Sequence, residues 1–304
     1  MTTPEVASQP DSKRRRLDEE ADKSSTACWR FRPLLPEALR QTKVPLIAFG
    51  AAVVKDRSKL ATVLRSLAEH EPLDESFAHL KRVRRGDDTT EALVLLAPVS
   101  NTGEAPRRPS TATSVSELCD GVVVVKVPAE RPATSRQLLW AQKHWPCRFF
   151  ANKHLESLIG GDSLTDLERQ SATRYLDIAS TSADGCVIAN NSMELKASTG
   201  TDDGRRSAAL RPLDHPVMRA IEAVAEKQRN GGDIGDYLLT SCDCFLSHEP
   251  CFMCAMALLH SRIGRVFIRR LTKDRKGPFS SAEMHANRAL NHTFDVYHVD
   301  DADS

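Results

Sequence analysis

Two short motifs supply three ligands of the kind that zinc prefers. The first is Asp214-His215-Pro216 and the second is Pro250-Cys251-Phe252-Met253-Cys254. Zinc is held in tetrahedral sites by imidazole nitrogen and thiolate sulfur, and C-x-x-C spacing lets two sulfurs reach one ion from the start of a helix. A proline beside each motif is typical of a helix start, where its fixed φ and missing N–H cost nothing. The pattern therefore predicts two helix N-termini that converge on one zinc ion (Zn2+), held by His215, Cys251 and Cys254.

The same residues allow other interpretations. The two cysteines could be buried thiols, with the histidine as a helix cap. Cys242 and Cys244 form a C-x-C just upstream, so a four-cysteine structural zinc site can also be drawn. However, the run Tyr237-Leu238-Leu239-Thr240-Ser241-Cys242-Asp243-Cys244-Phe245-Leu246 favours a buried strand, in which cysteine behaves as a small apolar residue.

The order of the motifs resembles the signature H-x-E…P-C-x-x-C of the zinc-dependent nucleobase deaminases. In that family one His and two Cys hold zinc, and the Glu carries protons between water and the base. Val217 stands at the glutamate position in this chain. Because valine can neither accept nor donate a proton, the resemblance implies a deaminase fold in which this chain has no catalytic residue.

A narrower resemblance lies in the stretch around the second motif. Residues 248–267 read H-E-P-C-F-M-C-A-M-A-L-L-H-S-R-I-G-R-V-F, which is similar to the E-P-C-x-M-C and S-R-I-x-R-V segments of the tRNA adenosine deaminases. With valine in place of glutamate, the chain resembles the non-catalytic subunit of the eukaryotic heterodimeric tRNA adenosine-34 deaminase. That resemblance implies zinc as cofactor, tRNA as ligand, and a catalytic deaminase subunit with an intact H-x-E motif as partner. It covers roughly the last third of the chain.

The length of 304 residues favours two domains. Residues 1–26 are polar and charged, and we expect them to be disordered. Residues 27–150 are expected to form a small α+β domain with a probable role in tRNA binding, and residues 151–304 the zinc-binding deaminase-like domain. No apolar run reaches the length needed to span a membrane.

The order of elements gives the fold class. In the first domain, apolar runs at 45–54, 92–96 and 122–127 and helical patterns at 59–69 and 134–143 give the order strand–helix–strand–strand–helix. This order indicates a sheet covered by helices. In the second, a helix from Ser163 precedes a hairpin around Asn190-Asn191-Ser192, followed by helix, strand, helix and strand. The resemblance implies that this is a three-layer α/β/α, cytidine-deaminase-like domain preceded by the small α+β domain.

Clustered cations are the candidate nucleic-acid contacts. The formal net charge is only +1, so any attraction to phosphate must be local. Lys81, Arg82, Arg84 and Arg85 form one cluster, and a second lies between Arg265 and Lys276. The alternative is that both are ordinary solvated faces.

The basic run near the N-terminus, the cysteine content and the acidic C-terminus give three further predictions. Lys13-Arg14-Arg15-Arg16 is a compact basic run of the kind found in nuclear import signals, so we expect the protein in nucleus and cytoplasm. Eight cysteines without an apolar leader favour a reducing compartment. The acidic end, Asp300-Asp301-Ala302-Asp303-Ser304, could supply a carboxylate as the fourth zinc ligand.

Two other functions compete with the non-catalytic subunit. The chain could be a self-sufficient deaminase that takes its base from elsewhere, for example from Asp214, although a residue before a helix more often caps it. It could also be a zinc-stabilised binding module unrelated to tRNA.

Overall fold

The computed structural model describes residues 29–86, 91–99, 119–190, 192, 194–199, 213–230 and 238–301. The expected disordered tail and the basic run at 13–16 lie outside these residues. The strands are β1 (Trp29–Pro33), β2 (Leu46–Val54), β3 (Val83–Arg85), β4 (Ala92–Pro98), β5 (Gly121–Pro128), β6 (Cys186–Asn190), β7 (Leu195–Thr199), β8 (Cys242–His248), β9 (Arg265–Arg270) and β10 (Asp295–Asp301). The α-helices are α1 (Glu37–Arg40), α2 (Leu60–His70), α3 (Ser135–Ala141), α4 (Lys153–Gly160), α5 (Asp166–Ser180), α6 (Pro216–Arg229) and α7 (Phe252–His260).

The chain divides into two compact units whose bounds differ from the predicted domains. The smaller unit is Leu35–Thr165, and the larger contains the residues up to Leu34 together with Asp166–Ser304. The prediction placed residues 29–34 in the first domain, but β1 pairs antiparallel with β10, from Trp29 opposite Asp301 to Pro33 opposite Tyr297. A pairing between the two ends of a chain leaves no local signal in the sequence, which explains the difference.

The larger unit is built on a mixed sheet in the order β1-β10-β9-β8-β6-β7. Strands β8, β9 and β10 are parallel to one another, whereas β6 runs antiparallel to β8 and forms the predicted hairpin with β7. Parallel neighbours require crossover connections, and such connections carry helices onto the faces of the sheet. Helix α7 is the connection between β8 and β9.

Helices cover both faces of this sheet, which confirms the predicted α/β fold. On one face Tyr175 of α5 packs on Phe245, which continues in a row of rings through Phe267 to Tyr297, with neighbouring centroids 5.0–5.1 Å apart. The opposite face holds the main apolar cluster, in which α6 and α7 pack on the sheet. Its buried members include Val217, Ala220, Val224, Cys254, Ala255, Leu258, Ile188, Cys244, Leu246, Val266 and Val296.

The smaller unit has its own sheet in the order β3-β4-β2-β5. Val63 and Leu67 of α2 pack with Val94 on one face. Trp145, which follows α3, packs with Phe49 and Leu95 on the other. Within the described part of the chain, no helix is long and apolar enough to cross a membrane.

A buried ion network joins helix α5 to strands β8 and β9. It lies at the end of the larger sheet that is opposite the start of α7. The guanidinium of Arg265 donates to both carboxylate oxygens of Asp243, at 2.9 and 2.7 Å, and to Glu168 Oε1 at 2.7 Å. The Asp243 side chain is only 1% exposed. Burial raises the pKa of Asp243, and the bonds from Arg265 oppose that rise. Arg265, which the sequence placed in the second candidate cluster for nucleic acid, is therefore engaged inside the protein.

We expect Asp243→Ala to lower the free energy of unfolding by about 3 kcal/mol, because it leaves a largely buried guanidinium short of its main partner. Asp177→Ala is the matched control, since Asp177 makes a 2.7 Å ion pair with Arg269 but is 55% exposed. Loss of such an exposed pair should cost about 0.5 kcal/mol. Urea denaturation of both variants measures the difference, and equal losses would contradict a special role for the buried network.

Candidate metal centre

The two predicted helix starts are present and each is preceded by a metal-ligand candidate. His215 is the N-cap of α6, with Pro216 as first helical residue, and Cys251 is the N-cap of α7. Helix α7 begins at Phe252, so Cys251 directly precedes it and Cys254 lies in its first turn. Neither N-cap side chain makes a capping hydrogen bond among the described residues, so the alternative of His215 as an ordinary helix cap is not supported.

The three donor atoms meet in the geometry that a tetrahedral ion needs. His215 Nδ1 lies 3.3 Å from Cys251 Sγ and 3.3 Å from Cys254 Sγ. Zinc–sulfur bonds of about 2.3 Å and zinc–nitrogen bonds of about 2.0–2.1 Å would place such atoms about 3.5 Å apart. Within the described ranges these residues are the one group of three or more potential ligands that lies this close together.

The four-cysteine alternative does not form. Cys244 lies on β8 with its sulfur 3.7 Å from that of Cys186 on the neighbouring strand. Cys242 is buried in the same apolar cluster. Both behave as the small apolar residues that the strand pattern predicted.

The chemistry of the donor set also fits a cation. Burial and the adjacent Cys251 sulfur raise the pKa of Cys254 to about 12. Two neighbouring thiolates are therefore unfavourable at neutral pH unless a positive charge lies between them. The N-termini of α6 and α7 contribute part of that charge, and a bound zinc ion would supply the rest. Cys251 is exposed while Cys254 is buried, so the cluster can be reached from solvent on one side.

A group that could carry a proton is missing from the position where the signature places it. Val217 lies in the first turn of α6, 5% exposed, and packs into the apolar cluster. Asp214 is exposed and lies outside the group of ligand atoms. The expectation that Asp214 caps the helix was wrong, since His215 occupies the N-cap.

Thr199 ties the start of α6 to the sheet. Its hydroxyl, at the end of β7, donates to the carbonyl of Pro216 at 2.7 Å. This bond joins the last residue of β7 to the residue that follows His215. A single threonine beside a polar stretch carries no signal of such a contact, so the sequence did not predict it.

A second residue that sequence reasoning missed is Glu249, two positions before Cys251. Its carboxylate accepts hydrogen bonds from the backbone N–H groups of Thr272, Phe279 and Ser280 and from the Ser280 hydroxyl, at 2.8–3.0 Å. Burial alone would raise the pKa of Glu249, but these bonds hold it below its usual value. Glu249 belongs to the E-P-C motif, but nothing in the neighbouring sequence marks it as the partner of a distant loop.

The predicted basic residues divide into two kinds. The guanidinium of Arg82 donates to the carbonyl of Glu71 at 2.6 Å and to that of Leu95 at 3.3 Å. Arg84 donates to the carbonyl of His144 at 2.8 Å and lies 5.0 Å above the Trp145 ring. Both hold the smaller unit together. Lys81 and Arg85 are exposed, and they remain the candidates for contact with phosphate.

The acidic end of the chain is only partly described. Asp300 lies in β10 and its carboxylate pairs with Arg32 at 2.7 Å, so it belongs to the sheet and not to the metal-ligand cluster. Residues 302–304 lie outside the described ranges. A fourth ligand from Asp303 therefore stays a prediction.

Comparison with known proteins defines the class. Residues 169–270 match the family model of the cytidine and deoxycytidylate deaminase zinc-binding region, and this range contains His215, Cys251 and Cys254. The larger unit therefore carries a deaminase-type zinc-binding domain.

Proteins that match this chain over most of its length narrow the class of protein further. The chain is 29% identical to the mouse "probable inactive tRNA-specific adenosine deaminase-like protein 3", over 91% of each chain. It is 28% identical to the zebrafish protein of the same name, over 95% of this chain and 96% of that one. It is also 29% identical to the Saccharomyces cerevisiae "tRNA-specific adenosine deaminase subunit TAD3", over 80% of each. The chain is thus similar over most of its length to two proteins named as probable inactive deaminase-like proteins and to one named as a deaminase subunit.

We expect the protein to bind one equivalent of zinc, and Cys254→Ser to lose both the metal and stability, because metal-binding free energy at such a site is also folding free energy. Metal analysis by mass spectrometry and thermal unfolding measure the two effects. Cys119→Ser is the control, since Cys119 is a half-buried cysteine outside the metal-ligand cluster. Full zinc content and unchanged stability in Cys254→Ser would refute the ligand assignment.

Proposed function

We propose that this protein is the non-catalytic, zinc-binding subunit of a tRNA adenosine deaminase. In this role it supports conversion of adenosine to inosine at the wobble position within a heterodimer. The observation that carries the proposal is the preserved His215–Cys251–Cys254 cluster with the buried Val217 where a proton-carrying glutamate would stand. The names of the mouse and yeast relatives, "probable inactive" and "subunit", support it.

The chemistry explains why the subunit would need a partner. Zinc, when bound, polarises a water molecule. Deamination also needs a group that moves protons from that water to the base and to the departing ammonia. Val217 has no atom that can do so, and its side chain fills space in the core beside α7. In the proposed complex the catalytic subunit supplies the intact glutamate, and this chain supplies a folded metal-stabilised surface and a share of the tRNA contact.

The cellular location remains part of the proposal. The basic run Lys13–Arg16 is of the kind found in nuclear import signals, and it favours nucleus and cytoplasm.

We expect the purified chain alone to form no inosine in tRNA, and the chain together with an intact-motif partner to form it. Loss of a positioned proton carrier typically costs a factor of about 10² to 10⁴. Val217→Glu is the matched variant, and it should not restore activity by itself, because the remaining pocket groups would also have to be in place. Inosine is measured by mass spectrometry of nucleosides. Robust inosine formation by the chain without a partner would overturn the proposal, and partner activity that is independent of this chain would favour a binding module.

We expect Lys81→Ser together with Arg85→Ser to weaken tRNA binding by the complex and to lower the salt dependence of log Kd by about 1 to 2, because each lost phosphate contact removes about one released counterion. Lys55→Ser with Arg65→Ser is the control, since it removes two exposed cations from the same unit. Binding is titrated at several salt concentrations. An equal effect of both pairs would assign the attraction to overall charge.

A further inference from the structure

A turn rich in cations follows β9 in the larger unit. We call residues 270–281 the basic loop. Arg270, Lys273, Arg275 and Lys276 give it four cations against one carboxylate, that of Asp274. The side chains of Arg270, Lys273 and Lys276 are exposed.

The two ends of this loop are bound to one side chain. Glu249 Oε2 accepts from the backbone N–H of Thr272 at 2.9 Å, before the lysines, and from the Ser280 hydroxyl at 2.9 Å. Its Oε1 accepts from the N–H groups of Phe279 and Ser280, at 3.0 and 2.8 Å, after the lysines. A single carboxylate therefore closes the segment between Thr272 and Phe279 into a defined turn.

Gly277 allows the close approach on which this closure depends. An ideal Cβ placed on Gly277 would overlap the carboxyl group of Glu249. Any side chain at this position must therefore displace either the loop or the carboxylate. Residues 249 and 277 are thus a matched pair, although they are distant in sequence.

The rest of the region does not depend on this carboxylate for its packing. Phe279 is 1% exposed in the main apolar cluster, and Met284 N–H donates to the carbonyl of Pro278 at 3.0 Å. These contacts hold the chain after residue 278 to the core. The hydrogen bonds to Glu249 fix the position of residues 272–277 in addition. This segment carries Lys273, Arg275 and Lys276 and has no buried large apolar side chain of its own.

We propose that Glu249 is a positioning residue, which holds the basic loop ready to contact the phosphates of a nucleic acid. The excess of exposed cations over carboxylates in a turn with a fixed backbone favours a polyanion, and prior ordering lowers the entropy lost on binding. The identification of that polyanion as tRNA rests on the proposed function. The cations of the basic loop contact the nucleic acid. Glu249 acts only by positioning the loop and does not touch the ligand.

The test uses Glu249→Gln and Gly277→Ala in the zinc-loaded chain, paired with the catalytic subunit. Glutamine keeps the size but loses acceptor capacity, and alanine disturbs the same contact from the other side. Both variants should speed hydrogen–deuterium exchange in residues 272–280. Both should raise the KM for tRNA about threefold to tenfold at an unchanged kcat. Because the two changes break one interaction, the double variant should be little worse than either single one.

Two further variants separate the four hydrogen bonds to Glu249, which we call the clamp, from the positive charge of the basic loop. Ser280→Ala removes one of the four bonds to Glu249, together with the 3.2 Å bond from the Gly277 N–H to the Ser280 hydroxyl. Because the other three bonds to Glu249 remain, it should give a smaller change in exchange and in KM. Lys273→Ser with Lys276→Ser keeps the clamp, so exchange at Thr272 and Phe279 should stay slow. Affinity for tRNA should nevertheless fall, and the salt dependence of log Kd should drop by about 1 to 2. Zinc content should be that of the wild type in every variant.

Several results would overturn the inference. Unchanged exchange in both clamp variants would show that Glu249 does not order the loop. Faster exchange with unchanged tRNA affinity would show that the loop does not meet the nucleic acid. If the variants form less heterodimer, but the heterodimer that still forms binds tRNA with unchanged affinity, the loop contacts an acidic protein surface instead. If the wild-type complex forms no inosine, the proposed function fails instead, and the same variants are compared for binding of tRNA to the chain alone.

Discussion

The larger unit depends on the convergence of two helix N-termini at one edge of a parallel run of strands. Strand β8 ends at His248 and the chain turns through Pro250 into α7, which brings Cys251 and Cys254 to that edge. Helix α6 lies beside α7 in the same apolar layer and presents His215 Nδ1 3.3 Å from both sulfurs. Helix dipoles favour thiolate there, but burial acts against it, so a bound cation would stabilise the site and with it the fold of this unit.

Val217 places an apolar side chain beside the candidate metal ligands. The residue is buried against the same layer that holds Cys254 and Ala255. The charge of a glutamate at this position would have to be solvated by water or by a bound substrate. Burial of a valine side chain instead stabilises the fold, by about 1.5–3 kcal/mol for a side chain of this kind. Valine at this position therefore contributes packing and cannot transfer a proton, which agrees with the proposed non-catalytic role.

The charged residues show that composition and sequence clusters are weak guides to surface function. Arg265 lies in a network with Asp243 and Glu168, and Arg82 and Arg84 donate to backbone carbonyls. Arg82 donates to two internal carbonyls and Arg84 to one, so both guanidinium groups are partly engaged inside the smaller unit. Lys81, Lys273 and Lys276 are exposed, and they are the candidates for contact with a polyanion.

The sequence by itself predicted which three residues lie together as candidate metal ligands, the lack of a proton carrier at position 217, and the order of helices and strands in the deaminase-type unit. These depend on local features: ligand spacing, proline at helix starts, and the periods of apolar residues. It did not reveal that β1 joins the sheet of the larger unit through β10, because that pairing links the two ends of the chain. Nor did it reveal that Glu249 binds Thr272 and Ser280, or that Thr199 holds the start of α6. Hydrogen bonds between residues distant in sequence leave no periodic trace, so only the tertiary structure decided which polar side chains position the site.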